Sequence, residues 1–183
     1  MQITAIILAG GRSKRMGTDK ALLELEGKIM LVKVIELCKN VCDKILISSN
    51  NPEHGRFSFP VVSDEIINCG PIGGIHAGLK KSDTDWNLII SVDSPFVEPK
   101  FLDFLISEIN DFDALVPFTH RGKEPLIALY RKSCLGEINS MMNEGNYKIH
   151  NLINSVHTKW IEVTNWVEKY PKLLHNLNRP EDL

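Results

Sequence analysis

Short apolar runs rich in β-branched residues alternate along this chain with segments of helical periodicity. The first run, ITAIIL at residues 3–8, is typical of a buried strand. Because strands that alternate with helices usually pair in parallel, the pattern predicts a parallel sheet with helices on both faces. The expected fold class is therefore α/β.

The elements follow one another without an obvious linker, internal repeat or low-complexity tract, so one domain over residues 1–183 is expected. We predict strands at 3–8, 44–49, 60–63, 87–92, 114–118, 126–130 and 160–163. Helices are predicted at 30–39, 100–109, 135–143 and 149–156, with one more beginning at Pro71. Residues 22–25 are predicted to be extended, and residues 119–124 to form a loop.

The first strand runs into a small, strongly basic segment. It ends in Ala9, Gly10 and Gly11, and four cationic side chains follow: Arg12, Lys14, Arg15 and Lys20. Successive backbone N–H groups and neighbouring cations suit a polyphosphate. Neither a Walker P-loop nor a dinucleotide G-x-G-x-x-G string follows the strand. A structural turn with a solvated basic face is the alternative interpretation.

The overall charge balance argues against two classes of partner. The chain has 21 basic and 23 acidic residues, which argues against a nucleic-acid coat or a polybasic membrane binder. No stretch approaches the roughly 20 apolar residues of a membrane span. The first apolar run lacks the features of a signal peptide, and we expect a cytoplasmic protein.

The cysteines are scattered, at positions 38, 42, 69 and 134. Cys38 and Cys42 have the spacing of one helix face, but no second pair follows at zinc-like spacing. Reduced and mostly buried thiols are therefore expected.

Asp93 is the strongest single candidate for chemistry. It follows a strand of Leu, Ile and Val and precedes Pro95, so it should lie in the crevice at the carboxyl ends of the strands. A carboxylate there suits Mg²⁺, which often takes one or two protein carboxylates together with substrate phosphates. A helix N-cap or turn aspartate is the alternative role.

Two further segments end at the same predicted rim. Asp64 and Asn50 each follow a strand, where they could bind a nucleotide or simply form turns. The segment GPIGGIHAGL at residues 70–79 contains more glycine than an ordinary helix tolerates, since each costs about 1 kcal/mol relative to Ala. Close approach to a ligand or to a neighbouring strand would explain these glycines, and we expect ligand contact.

The motifs together resemble one family. LAGGRSKRMGTDKAL at residues 8–22 is similar to the L-A-G-G-x-S-x-R-M-G-x-D-K-A-L signature of the MobA-like nucleotidyltransferases. Further matches follow in order: Asp64, GPIGG at 70–74, Asp93-x-Pro95-Phe96, PLIALY at 125–130 and NLNRPEDL at 176–183. The resemblance spans nearly the whole chain, and within the family it points to the guanylyltransferase branch.

The resemblance implies a three-layer Rossmann-like nucleotidyltransferase fold with a mostly parallel central sheet. It implies transfer of GMP from Mg-GTP to the terminal phosphate of molybdenum-loaded molybdopterin, with release of pyrophosphate. The partners implied are GTP, molybdopterin and, transiently, molybdoenzymes or cofactor chaperones. Neither nucleic acid nor membrane is an expected partner.

The resemblance also assigns roles by position. It implies catalytic roles for Lys20, Arg15 and Asp93, with Asp93 also the Mg²⁺ ligand. The implied nucleotide-binding residues are Leu8, Ala9, Gly10, Gly11, Lys20, Asn50, Asp64 and Asp93. The implied acceptor-binding residues are Gly73, Gly74, Asn176 and Asn178.

Two positions depart from the family pattern. Ser94 stands where Met is usual, and Arg179 where Thr is usual. Gly10, in the form LAGG rather than LAAG, favours guanylyl over cytidylyl transfer. The alternatives are a molybdopterin cytidylyltransferase, a sugar-phosphate nucleotidyltransferase of the same fold, and a non-catalytic nucleotide-binding cofactor adaptor.

Overall fold

A computed structural model describes residues 1–10 and 19–177 of the chain. Its strands are β1 Ile3–Leu8, β2 Glu24–Leu25, β3 Lys28–Ile29, β4 Lys44–Ser48, β5 Val61–Val62, β6 Trp86–Ser91, β7 Ala114–Thr119, β8 Gly122–Lys123, β9 Ile127–Arg131 and β10 Thr158–Glu162. Its α-helices are α1 Met30–Lys39, α2 Pro71–Lys81, α3 Pro99–Ser107, α4 Cys134–Asn143, α5 Ile149–Ser155 and α6 Thr164–Lys169. Two 3₁₀ helices cover Lys20–Leu22 and Pro52–Phe57.

The central sheet has the strand order β10-β7-β9-β6-β1-β4-β5, with β8 paired to β7. One half of the sheet is entirely parallel and consists of β6, β1, β4 and β5. In the other half, β10 is parallel to β7. Strand β9 is antiparallel to both β6 and β7. The predicted mostly parallel sheet is thus confirmed, and the departure at β9 has a local cause. The chain turns back after β7 through a short hairpin rather than a helix, and only antiparallel pairs allow that.

Helices cover both faces of the sheet, as the alternation predicts. Helices α1 and α3 pack on the face that carries Ile7 and Ile90, in one apolar cluster. Helices α2, α4 and α5 pack on the face that carries Ile6 and Ile89, in a second cluster. Neighbouring strand residues thus enter opposite layers, because successive side chains of a strand point to opposite faces.

Several local predictions needed correction. The extended segment predicted at 22–25 is confirmed from Leu23 onward, since Leu23 is extended and β2 follows, whereas Leu22 ends the 3₁₀ helix Lys20–Leu22. Glu26 and Gly27 both have positive φ, at 54° and 75°, which matches the right-handed twist of a two-residue hairpin turn. The loop predicted at 119–124 contains β8, and α6 was not predicted. These elements are two to six residues long, too short for periodicity to reveal.

Within the described ranges, every helix is too short or too polar to cross a membrane.

Candidate active site

The register of the parallel strands places four predicted site residues along one rim. Leu8 of β1 pairs with Ser48 of β4 and with Ser91 of β6, and Ser48 pairs with Val62 of β5. Two positions further along the chain from these four paired residues come Gly10, Asn50, Asp64 and Asp93. The carboxyl ends of parallel strands form the ligand crevice of such sheets, so the strand register itself gathers these motifs.

Lys20, Asp93 and Leu177 form one part of this rim, called here the Lys20 cluster. The Lys20 ammonium lies 3.9 Å from Asp93 Oδ2, and these side chains are 21% and 23% exposed. Lys20 Nζ also donates a hydrogen bond of 3.0 Å to the Leu177 carbonyl. The Leu177 N–H in turn donates to the Asp93 carbonyl at 2.9 Å. The C-terminal segment therefore joins a lysine and a carboxylate that come from opposite ends of the chain.

Ser94 links the Asp93 turn to the same C-terminal segment. Its buried hydroxyl donates to Asn176 Oδ1 at 2.9 Å. Ser94 is the position where the family usually has Met, so this contact accompanies the departure from the pattern. The predicted acceptor role of Asn176 remains a prediction. Its side-chain oxygen already accepts a hydrogen bond from Ser94.

Asn50 and Asp64 form the second part of the rim, called here the Asp64 pair. Asn50 Oδ1 accepts a hydrogen bond of 3.0 Å from the Asp64 backbone N–H. Partial burial raises the pKa of the Asp64 carboxyl above its ordinary value, and the side-chain hydrogen bond with Asn50 opposes that shift in pKa. Their predicted proximity to each other is therefore observed, and Asn50 orients the strand end that carries Asp64.

The two glycines predicted to contact the acceptor lie inside α2 and are buried. A Cβ on Gly74 would come within 2.6 Å of Ser48 Oγ and 3.1 Å of Leu8 Cδ2. A Cβ on Gly73 would lie 3.2 Å from Asp64 Oδ2. Close packing of α2 against the β1 and β4 ends thus explains why these positions are small. Of the two explanations weighed for the glycines, approach to a neighbouring strand is the one seen, and acceptor contact remains a prediction.

The residues that lead into the basic segment, Ala9 and Gly10, are hydrogen-bonded to β4. The N–H groups of Ala9 and Gly10 both donate to the Ser48 carbonyl at 3.0 Å. These two donors are therefore engaged by β4 rather than presented to an anion. Three predicted site residues, Gly11, Arg15 and Asn178, lie outside the described residues.

The side chains near Asp93 determine whether it could serve as a metal ligand. Residues 1–10 and 19–177 hold no group of three or more His, Cys, Asp or Glu side chains that could bind a metal ion. A single, partly exposed carboxylate still fits Mg²⁺ when substrate phosphates and water complete its ligands. The donor set is therefore compatible with a magnesium ion that arrives with its nucleotide.

Cys38, Cys42 and Cys134 are unsuited to nucleophilic chemistry. All four cysteines are free, and burial is the main cause that raises the pKa of Cys42 to about 12. Burial likewise raises the pKa of Cys134 to about 12 and that of Cys38 well above its ordinary value. Protonated thiols are poor nucleophiles. Helix α1 ends at Lys39, so Cys42 lies beyond it rather than on the predicted shared helix face.

An open cleft of about 560 Å³ lies beside the Asp93 turn. Pro95 and Phe96 line one side, and Lys169, Tyr170 and Lys172 contribute to another. Lys172 Nζ lies 5.3 Å from the centre of the Phe96 ring. Among the described residues, none of those predicted to bind the nucleotide lines this cleft, so it is a separate feature that adjoins the Lys20 cluster.

Sequence reasoning missed the residues around Asp19, the neighbour of Lys20. Asp19 caps the 3₁₀ helix that carries Lys20, and Asn51 and His54 approach the Asp19 carboxylate. The only sequence signal was the position of Asp19 beside Lys20 in the signature. The contact with Asn51 joins segments 32 residues apart, which periodicity does not reveal.

Comparison with known proteins decides the family. The sequence profile of the MobA-like NTP transferase domain family matches residues 5–159. This chain belongs to the MobA-like NTP transferase family. It is accordingly a nucleotidyltransferase, as the motifs at the strand ends predict.

Similarity to individual members of the family extends over the full length. A probable molybdenum cofactor guanylyltransferase of Natranaerobius thermophilus is 35% identical, over 99% of this chain and 93% of that protein. The molybdenum cofactor guanylyltransferase of Vibrio parahaemolyticus is 34% identical, over 100% and 93% of the two chains. Both relatives are named for the activity that the sequence predicts, which confirms the resemblance to the guanylyltransferase branch.

A solved structure supports the fold. The molybdopterin-guanine dinucleotide biosynthesis protein A of Archaeoglobus fulgidus has a TM-score of 0.84 and 26% identity. The superposition covers 98% of this chain and 94% of that one. The predicted Rossmann-like nucleotidyltransferase fold is confirmed.

Proposed function

We propose that this MobA-like nucleotidyltransferase transfers GMP from GTP to the terminal phosphate of molybdenum-loaded molybdopterin. The products are molybdopterin guanine dinucleotide cofactor and pyrophosphate. The observation that carries the proposal is the approach of Lys20 to Asp93 at the carboxyl ends of β1 and β6. A cation and a carboxylate at this edge suit chemistry on a polyphosphate.

The reaction is a single displacement at the α-phosphorus of GTP. An oxygen of the acceptor phosphate forms the new bond, and the bond to the bridging oxygen before the β-phosphorus breaks. Pyrophosphate leaves with that electron pair. The acceptor phosphate is already anionic at neutral pH, so the site needs no strong base. Its main task is to reduce repulsion between two anions, which falls to Lys20 and, by the family resemblance, to Arg15.

Asp93 is the residue proposed to hold a divalent cation, specifically Mg²⁺. When bound, Mg²⁺ would supply charge neutralisation at the nucleotide phosphates. Asp93 contributes the carboxylate, and Lys20 holds its ammonium 3.9 Å away. Leu177 maintains this arrangement by bonding to both residues through its backbone.

Gly10 supports guanine as the base. A Cβ at Gly10 would make only ordinary contacts, at 3.6 Å from Ser48 O and from Ser49 Cα. Packing against the described residues therefore does not require glycine there, and the absence of a side chain at this exposed position leaves space for a ligand. The Asp64 pair and the backbone of Leu8 and Ala9 complete the proposed nucleotide-binding residues.

The acceptor is proposed to lie near the N-terminal half of α2 and the C-terminal segment. Gly73, Gly74, Asn176 and Asn178 are the residues that the family resemblance assigns to it. We further propose that the enzyme works in the cytoplasm and passes its product to molybdoenzymes or cofactor chaperones through transient contacts.

The decisive experiment measures pyrophosphate release with molybdenum-loaded molybdopterin and GTP, CTP or UTP in turn. The proposal expects GTP to give a kcat/KM at least about tenfold above the other two. Preference for CTP would instead identify a cytidylyltransferase. Use of UTP with a sugar phosphate would indicate the sugar-phosphate alternative, and nucleotide binding without pyrophosphate release would indicate an adaptor.

The variant Gly10→Ala tests the choice of base in the same assay. Its methyl group would make only ordinary contacts with the described residues but would occupy the proposed ligand space. It should lower kcat/KM for GTP more than for CTP, without lowering the thermal unfolding midpoint. An equal effect on both nucleotides would remove Gly10 from the selection of the base.

A further inference from the structure

Asp19 connects the turn that carries Lys20 to a neighbouring segment. Its Oδ1 accepts a hydrogen bond of 2.9 Å from the Ala21 N–H, so the carboxylate caps the 3₁₀ helix Lys20–Leu22. Such a cap fixes the backbone from which the Lys20 side chain extends. The position of Lys20 therefore depends on the orientation of the Asp19 carboxylate.

Asn51 holds the other oxygen of that carboxylate. Its Nδ2 donates to Asp19 Oδ2 at 2.6 Å, while its own Oδ1 accepts from the Glu53 N–H at 3.0 Å. One side chain thus caps the second 3₁₀ helix, Pro52–Phe57, and orients the cap of the first. Hydrogen bonds to a charged acceptor are the stronger kind, which favours a fixed geometry.

His54 approaches the same oxygen from a fully buried position. Its side chain has no exposed area, and its Nε2 lies 3.1 Å from Asp19 Oδ2. Among the described residues, neither ring nitrogen makes an aligned hydrogen bond. Burying a polar ring in this way is unfavourable unless it interacts with something, and the Asp19 carboxylate is the charged group beside it.

We propose that Asn51 and His54 are positioning residues, which act through Asp19 to hold Lys20 beside Asp93 during transfer. The inference rests on the proposed function only in assigning Lys20 to the phosphates. Neither residue belongs to the motifs that define the family resemblance. Each acts on the reaction through Lys20 and touches no reacting atom.

The first test replaces Asn51 without removing its helix cap. Asn51→Asp keeps an oxygen for the Glu53 N–H but replaces the donor to Asp19 with a second carboxylate oxygen. We expect kcat to fall between about 10-fold and 100-fold, because small misplacements of a catalytic group have effects of this size. Asn51→Ser, which retains a capping oxygen without the added charge, should show a smaller loss of the same kind.

Asn139→Asp is the matched control. Asn139 contacts a different buried histidine, with its Oδ1 2.9 Å from His76 Nε2, and it lies on α4, in the helix layer that packs against Ile6 and Ile89. The substitution introduces the same charge and should leave kcat near the wild-type value. A similar loss in both variants would mean that added charge, rather than Asp19, causes the effect.

A double-mutant cycle with Lys20→Ala separates positioning from general destabilisation. Lys20→Ala alone should lower kcat by about 100-fold, with little change in the unfolding midpoint. If Asn51 acts through Lys20, Asn51→Asp should change the rate of the Lys20→Ala enzyme by less than about twofold. The same fold-loss in both backgrounds, or a wild-type rate for Asn51→Asp, would overturn the proposal.

His54 is tested by conservative rescue. His54→Gln can place an amide near the Nε2 position, whereas His54→Leu fills the space without a polar group. We expect His54→Gln to keep at least about tenfold more activity than His54→Leu at equal folded fraction. Equal rates would show that His54 only fills the core.

All of these assays use whichever of GTP, CTP and UTP the wild-type enzyme uses best. A preference for a base other than guanine would overturn that part of the proposed function and leave the positioning test intact. An additive cycle with normal GTP use would overturn the positioning proposal alone.

Discussion

The Lys20 cluster and the Asp64 pair lie at the same edge of the sheet but are built differently. The cluster joins Lys20 to a carbonyl 157 residues away, and it brings an ammonium and a carboxylate together. The pair joins residues 14 apart, which lie two positions beyond the ends of the adjacent strands β4 and β5. The cluster therefore depends on how the whole chain folds, whereas the pair follows from the pairing of two neighbouring strands.

The charges of the Lys20 cluster and the Asp64 pair also differ. In the cluster, opposite charges stand close together, which is the arrangement needed to neutralise phosphates. In the pair, partial burial raises the pKa of Asp64, and the hydrogen bond with Asn50 opposes that shift in pKa. The proposed function places the chemistry of transfer at the cluster and nucleotide recognition at the pair. Substitutions in the cluster should therefore change mainly kcat, and substitutions in the pair mainly KM.

Removal of the Asp93 charge should give the largest effect. Asp93→Asn keeps the shape of the side chain but loses the charge proposed to hold Mg²⁺ and to face Lys20. We expect kcat to fall at least about 1,000-fold, with an unchanged thermal unfolding midpoint.

Asp83→Asn is the matched control for this change. Asp83 is an exposed carboxylate paired with Lys44 at 2.6 Å, away from the rim. Its variant should retain wild-type turnover. If Asp93→Asn also kept near-normal, Mg²⁺-dependent turnover, the division between the cluster and the pair would be wrong.

A methyl group on α2 should disturb the pair more than the cluster. Gly74→Ala places its Cβ against Ser48 and Leu8, the residues that precede Asn50 and Gly10 by two positions. We expect a loss of about 1–3 kcal/mol in the free energy of unfolding from overpacking, and a KM for GTP that rises more than kcat falls.

The control for this substitution is Gly136→Ala in α4, where an added Cβ would meet nothing within 4 Å. It should stabilise the protein by about 0.5–1 kcal/mol, because alanine favours the helix. Urea unfolding of both variants measures the difference. A Gly74→Ala protein as stable as wild type would mean that α2 shifts readily on the sheet.

The smallest effect should come from the Asp64 charge. Asp64→Asn is expected to raise the KM for GTP about tenfold with little change in kcat, as for the loss of one charge-assisted hydrogen bond. The same substitution predicts a pH-dependent change in stability. Because the pKa of Asp64 is raised above the ordinary 3.8, the protonated carboxyl stabilises the folded state. This stability is present below pH 3.8 and is lost as the pH rises through the folded pKa.

Asp64→Asn should consequently be more stable than wild type at neutral pH, with the gain vanishing as pH falls below 3.8. Because the carboxyl is partly exposed, solvent screening keeps the gain small. Unfolding free energies measured across this pH range provide the check. A wild-type protein that gains stability relative to the variant as pH rises would reverse the sign and contradict the raised pKa.

Local patterns were sufficient for most of the fold and for the row of candidate residues. The apolar runs predicted β1, β4 and β6, and residues that follow such runs necessarily reach the same rim of a parallel sheet. Strand β9 was predicted, but its antiparallel direction was not, because that direction depends on the preceding hairpin rather than on the residues of the strand. The role of glycine at Gly74 was not predicted either, because only the packed structure shows Ser48 beneath that position.

The amino-acid sequence by itself determined the α/β class, the family signature at residues 8–22 and the strand ends that carry Asn50, Asp64 and Asp93. These follow from periodicity and residue type, which are local properties of the chain. Only the tertiary structure decided that Leu177 holds Lys20 near Asp93, and that Asn51 and His54 surround Asp19. Such contacts join distant segments, and their geometry arises when the sheet brings those segments to one edge.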